Sequence, residues 1–304
     1  MGIKYNMIEP PAHLKNIVNN FFRLEGDSKT YNLFHFADFN AKLLFIKSGR
    51  IGFCNYNNLE KTSLHNGRVI RTQKEVPLFK YSVVLLGPCQ NYCLVKLEGE
   101  IDIVGVELQA TGAWHLLADN VDKYADSVTG INDNNISGIT QLADYVFSAT
   151  DNQSIYAATS MFLSSKNIAS PKDLDNIEKV IQFINKQNLN DNVQDIASNI
   201  GTSSKQLLRL SKKYIGIAPI HFMQIARFKK VLRAISDTKN GKIITDIPEM
   251  ESYYDISHLA KETKNLSGHT PSVLMETGEI ISQTDNLAIV FEDNKECTFC
   301  IYSY

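Results

Sequence analysis

The sequence predicts an α+β chain: a β-barrel-like first half with trailing helices, then an all-helical second half. Two observations carry this. Before Gly112, short runs of β-formers alternate with turn residues; from Pro171 to about Thr277, apolar residues recur three and four apart. At 304 residues the chain has room for about two domains. With 43% hydrophobic and 21% charged residues it is too apolar to be disordered.

The strand runs are Lys42–Lys47, Ile51–Cys54, Tyr81–Leu86, Tyr92–Lys96 and Ile101–Glu107. Their separators are Ser48-Gly49, Gly87-Pro88 and Glu98-Gly99, and this spacing predicts a small barrel or curled sheet. Helical periodicity then appears at Trp114–Leu117, Ile136–Phe147 and Ile155–Leu163. Trp114 lies on an apolar face and reads as core. Residues 164–170 (SSKNIAS) read as a linker. Ser170-Pro171 follows as an N-cap and first helical residue, with Asp173 in the first turn. Residues 283–304 turn β-like around Leu287–Phe291, as a strand added to the first half. The expected division is 1–169, 170–276 and a tail, 277–304.

Several classes are excluded. No run of about 18 apolar residues exists, so no membrane span or membrane partner is expected. The start, MGIKYNMIEPPAH, has no basic-then-apolar export pattern. Five cysteines without such a signal point to reduced thiols and a cytoplasmic setting. No GxxxxGK[ST], GxGxxG after a strand, or GxSxG occurs, so an enzyme is not expected. Cys297-x-x-Cys300 together with Cys89 and Cys93 offers four thiols, but the pairs lie at opposite ends of the chain. The seven histidines form no HxH or HExxH pair, and no metal or cofactor is expected.

The second half contains a repeat. Asn192–Pro219 and Ile244–Pro271 align so that Gly216-Ile217-Ala218-Pro219 recurs as Gly268-His269-Thr270-Pro271, 52 residues on. Leu207 then matches Leu259, Arg209 matches Lys261 and Lys212 matches Lys264. In the first copy Asn192 and Asp195 form a capping box for a helix that Gly201 ends. Ser203 caps the next helix, with Gln206 as box partner. Leu207, Leu210 and Tyr214 share one face and should bury against Ile196 and Ile200; Lys205, Arg209, Lys212 and Lys213 share the other. This is the layout of a helix-turn-helix. Net charge is −2 overall, yet Ser203–Arg233 holds eight basic residues (Lys205, Arg209, Lys212, Lys213, Arg227, Lys229, Lys230 and Arg233) and no acidic one.

With the duplicated unit, an intervening helix at about Ile220–Ile235 and the run Tyr253-Tyr254-Asp255-Ile256-Ser257-His258-Leu259, the second half resembles the AraC/XylS family of transcriptional regulators. The resemblance implies duplex DNA as partner. It places base-contacting positions on Lys205, Gln206 and Arg209, with Leu208 alongside, and on Ile256, Ser257, Ala260 and Lys261. Arg209 suits guanine and Gln206 suits adenine. Ser203, Lys212, Lys213 and Lys264 fall at phosphate-contacting positions. His258 has two readings, a phosphate contact or a structural residue at the helix start. Departures from the family pattern are Ser211 and Thr263 for aromatics, Ser252 for Gly, and Pro248 inside the second unit's first helix. Ile256 and Ala260 cannot hydrogen-bond bases, so the second unit either reads thymine methyls, positions the protein, or is degenerate. The first half, through Leu43–Gly52, Gly87-Pro88 and Val104–Glu107 leading to Gly112-Ala113, resembles a sensor-like domain of unknown function that precedes such DNA-binding domains. That implies a small-molecule effector or a homodimer as further partners. The competing reading is a ligand- or metal-binding barrel whose helical half is a degenerate interaction module.

Overall fold

The computed structural model describes residues 3–55, 76–78, 80–166, 171, 173–186, 192–237, 253–276, 280–292 and 295–303. It is an α+β molecule built on one antiparallel sheet of ten strands: β1 (Lys4–Ile8), β2 (Val18–Gly26), β3 (Tyr31–His35), β4 (Lys42–Asn55), β5 (Val76–Leu78), β6 (Ser82–Leu86), β7 (Cys93–Leu108), β8 (Val128–Gly130), β9 (Ile280–Glu292) and β10 (Lys295–Ser303). The main path runs β10-β9-β3-β7-β4-β6-β8. Among the described strands it ends on two edges, so the barrel expected from the sequence is an open, curled sheet.

Four expected strands are two. Lys42–Lys47 and Ile51–Cys54 join as β4, and Tyr92–Lys96 and Ile101–Glu107 fall in β7. Gly87-Pro88 does separate β6 from β7, but Gly49 and Gly99 lie inside continuous strands. Gly49 and Gly99 have φ of +87° and +82°, and a Cβ on Gly49 would lie 2.5 Å from the Ile101 side chain. The pairing jumps here from Ser48 opposite Asp102 to Arg50 opposite Glu98. Two left-handed glycines thus make a bulge that bends both strands without ending either.

Side chains alternate along the strands, and both faces are buried. Phe21, Leu43, Phe45, Val104 and Val106 face one cluster; Phe22, Leu44, Ile46 and Ile103 face another. Helices α1 (Gly112–Leu117), α2 (Ile139–Ser148) and α3 (Asn152–Ser165) cover the first face. Asp151 caps α3, accepting from Ser154 N–H at 2.7 Å.

The remaining described helices are α4 (Leu174–Lys186), α5 (Val193–Asn199), α6 (Ser204–Tyr214), α7 (Pro219–Asp237), α8 (Ile256–Ser267) and α9 (Pro271–Glu276). Pro171 and Asp173 precede α4 rather than forming its first turn, with Leu174 N–H donating to the Pro171 carbonyl at 2.9 Å; Ser170, Pro248 and Ser252 lie outside the described residues. Among the described residues no helix is long and apolar enough to cross a membrane.

The first face's core continues into these helices: Leu207, Leu210, Tyr214, Phe222, Phe228, Leu259 and Leu266 belong to the same cluster as Phe21 and Trp114. Trp114 packs edge-on against Tyr214 with ring centroids 5.1 Å apart, Phe36 meets Phe228 at 5.8 Å, and Phe39 meets Phe222 at 4.5 Å. Gly216 (φ +94°) lets the chain after α6 touch the first half: a Cβ there would lie 3.0 Å from Val121 and 3.2 Å from Pro88.

A buried charge network crosses the same junction. Asp38 pairs with Lys42 at 2.7 Å and with Lys229 of α7 at 2.8 Å, all three buried. Burial opposes the Asp38 charge, but Lys229 and Lys42 outweigh it and hold the carboxyl well below the usual range. Glu107, fully buried nearby, accepts hydrogen bonds from Asn19, Asn20 and Asn40, and burial pushes its pKa up.

Candidate nucleic-acid interface

The first helical unit is built by local rules. The Asn192 side chain accepts from Gln194 N–H at 2.9 Å and Asp195 N–H at 3.0 Å, and Asp195 accepts from Asn192 N–H at 3.4 Å. The capping box is therefore complete. Gly201 has φ +72° in the turn. Ser203 caps α6, its hydroxyl accepting from Gln206 N–H at 3.2 Å. The Gln206 side chain does not close a box; its carbonyl accepts from Arg209 Nε at 3.2 Å, so the two residues assigned to bases bond each other.

Leu207, Leu210 and Tyr214 are fully buried, with Ile196 buried beside them and Ile200 packed at the cluster's edge. Ser211 is buried and donates to the Ile217 carbonyl at 2.8 Å, pinning the turn into α7. On the outer side Ser203, Lys205, Leu208, Arg209 and Lys212 are exposed, and Gln206 and Lys213 are half-buried. Helix α6 thus presents cations, an amide and one exposed leucine to solvent.

One acidic group enters this face, and sequence reasoning did not place it there. Asp173 accepts a short hydrogen bond from the Tyr214 hydroxyl and lies 3.5 Å from Lys213 and 3.7 Å from Arg209. The Tyr214 hydrogen bond, aided by Lys213, lowers its pKa.

The second unit is described from Tyr253 onward. Asp255 caps α8, accepting from His258 N–H at 2.6 Å. Ile256, Ser257, His258, Lys261 and Lys264 are exposed and Ala260 is half-buried. The His258 ring packs edge-on against Tyr253 at 5.5 Å, with Nε2 4.0 Å from Glu262. Tyr254, part of the run quoted from the sequence but given no contact role there, is 94% exposed beside this surface. Thr263 is buried.

Half of the basic run does not lie on this outer surface. Arg227 pairs with the buried Glu262 at 3.1 Å, tying α7 to α8, and Lys229 is held by Asp38. Lys230 and Arg233 line a cavity of about 560 Å³ between the two halves, together with Lys15, Asn19, Asn40 and Glu178. The sequence held a signal for this. Phe222, Met223, Ile225, Phe228, Val231, Leu232 and Ile235 leave α7 almost no polar face, the pattern of a helix buried all round. The cavity is polar and cationic.

A family model described as a domain of unknown function (DUF6597) matches residues 6–130. That span starts in β1 and ends with β8. No curated protein matches the chain. Among solved structures, the chain is similar to ToxT from Vibrio cholerae, with 13% identity, 91% of this chain and 98% of that chain covered, and a TM-score of 0.47. It is also similar to V. cholerae ToxT bound to an unsaturated fatty acid, with 15% identity, coverages of 84% and 94%, and a TM-score of 0.46. Procruciferin, an 11S globulin from Brassica napus, gives 16% identity, coverages of 35% and 27%, and a TM-score of 0.25.

Proposed function

We propose that this chain is a sequence-specific DNA-binding transcriptional regulator of the AraC/XylS type. In this reading residues 170–276 bind duplex DNA, residues 1–169 sense or dimerise, and residues 277–304 supply strands to the first part. The observation that carries it is the capped α5–turn–α6 unit, with its apolar face buried and Lys205, Arg209 and Lys212 exposed. Gln206 and Arg209 face base edges in the major groove, and α8 offers Ile256, Ser257, Ala260 and Lys261 to a second segment about one helical turn away, about 34 Å. Lys212, Lys213 and Lys264 take phosphates, with Ser203 and His258 beside them. An effector that fits the cavity between the halves is a small anion, since Lys15, Lys230 and Arg233 line it. Binding there would bias how the halves sit on one another.

Titration of mixed-sequence duplex at several salt concentrations tests the reading. If the three lysines each neutralise one phosphate, log K falls with log salt at a slope of about −3, and Lys212→Ala reduces the slope by about 1. Binding that ignores salt contradicts it. Asp173 acts as an internal competitor for two cations of this face, Lys213 and Arg209. Asp173→Asn should tighten duplex binding by up to about 5-fold, the worth of an exposed ion pair. Unchanged or weaker binding would show that Asp173 serves only the Tyr214 contact.

A further inference from the structure

Three soft or nitrogenous ligands meet where the sheet abuts the helical half. His35 ends β3 and sits directly opposite Cys93, the first residue of β7. Cys89 lies before β7 and forms an isolated bridge with Asp38: Asp38 N–H donates to the Cys89 carbonyl at 2.8 Å, and Cys89 N–H donates to the Asp38 carbonyl at 2.7 Å. Sheet pairing thus gathers residues 54 and 58 positions apart. One ring nitrogen of His35 and the sulfurs of Cys89 and Cys93 lie within 4.8 Å of one another. Both cysteines are buried free thiols. Both ring nitrogens of His35 are buried and make no hydrogen bond of regular geometry among the described residues, although the Cys89 thiol lies close enough to interact with the ring. An imidazole sealed in this way needs a reason, since buried polar atoms are almost always satisfied.

We propose that His35, Cys89 and Cys93 form a binding site for a thiophilic divalent cation, with Zn²⁺ as its best match. Imidazole and thiolate are the ligands such ions prefer. Two thiolates and a neutral imidazole leave Zn²⁺ with no net charge, which suits a buried position. Binding forms two Zn–S bonds and one Zn–N bond and releases the two thiol protons to solvent. A tetrahedral site places such atoms about 3.5–3.8 Å apart, given Zn–S of about 2.3 Å and Zn–N of about 2.0 Å. Modest side-chain adjustment closes the difference, and the fourth position is left for water or an exogenous ligand. The site is new to the sequence reading, which set aside a four-thiol site of Cys89, Cys93, Cys297 and Cys300, expected no metal and gave His35 no part. Its setting adds a consequence: Cys89 is bridged to the backbone of Asp38, whose side chain holds Lys229, so the ion would brace the seat of α7.

The test uses the full-length reduced chain, stripped with chelator and titrated with Co²⁺ as a spectroscopic probe. A thiolate-to-cobalt charge-transfer band should rise to one equivalent per chain and vanish when Zn²⁺ is added. Cys89→Ser and Cys93→Ser should abolish the band. His35→Ala should weaken binding by more than about 100-fold, beyond the loss of an outer partner. Cys297→Ser/Cys300→Ser should keep the band. A folded wild-type chain that gives no such band overturns the proposal without recourse to any variant. So does a band that survives loss of Cys89 or Cys93 and disappears with Cys297 and Cys300.

Discussion

Replacing Asp38 by Asn should cost the protein about 3–5 kcal/mol of stability, the usual effect of removing one partner from a buried ion pair. Lys42 and Lys229 would both be left buried beside a neutral amide. The wild-type contribution also has a pH signature. Because the folded Asp38 pKa is depressed, its stabilisation is present above the unfolded carboxyl range of about 4 and is lost as pH falls below it. That part of the acid-side slope should be missing in Asp38→Asn. Lys229→Met should be milder, since Asp38 keeps Lys42 and the new side chain can lie against Phe39, over whose ring the ammonium now sits at 4.2 Å. Denaturant unfolding across pH measures both variants. A loss below about 1 kcal/mol for Asp38→Asn, the scale of an exposed pair, would contradict a structural role for this network.

Arg209→Ala should weaken binding to a selected duplex by about 1–3 kcal/mol, or about 5- to 160-fold, and relax the preference at one base position. Arg209 is more than half exposed, and its Nε is steadied by Gln206 at 3.2 Å, so the guanidinium plane is part-oriented before DNA arrives. A phosphate-contacting lysine behaves differently: Lys212→Ala should weaken all sequences alike. Comparing the two variants on matched and mismatched duplexes separates base reading from charge. Equal losses on every sequence would remove Arg209 from the reading set.

What the sequence made legible is what local chemistry decides. The Asn192–Asp195 box, the Ser203 cap and the buried Leu207–Leu210–Tyr214 face each depend on residues within a few positions of one another, and each is found in place. What it hid depends on tertiary neighbours. Gly49 and Gly99 read as breakers because a bulge within a strand and a turn between strands call for the same residue. Asp173 read as a first-turn residue of the next helix because its partners, Tyr214 and Lys213, are some 40 positions away. Arg227 and Lys229 counted towards a DNA face because Glu262 and Asp38 lie on other elements. His35 joined neither cysteine in the sequence because only the β3–β7 register brings them together. The cationic surface that remains is therefore smaller than the charge run implied and is confined to α6, with Lys261 and Lys264 on α8.

Selection of bound sequences from a random duplex library, run with the full chain at two salt concentrations, tests the central claim most directly. The account predicts an enriched motif with two blocks spaced about 10–10.5 base pairs apart, the α6 block more sharply defined than the α8 block. Higher salt should lower overall recovery and leave the motif unchanged. Recovery of unenriched sequence at both salts, or of no duplex at all, would contradict it.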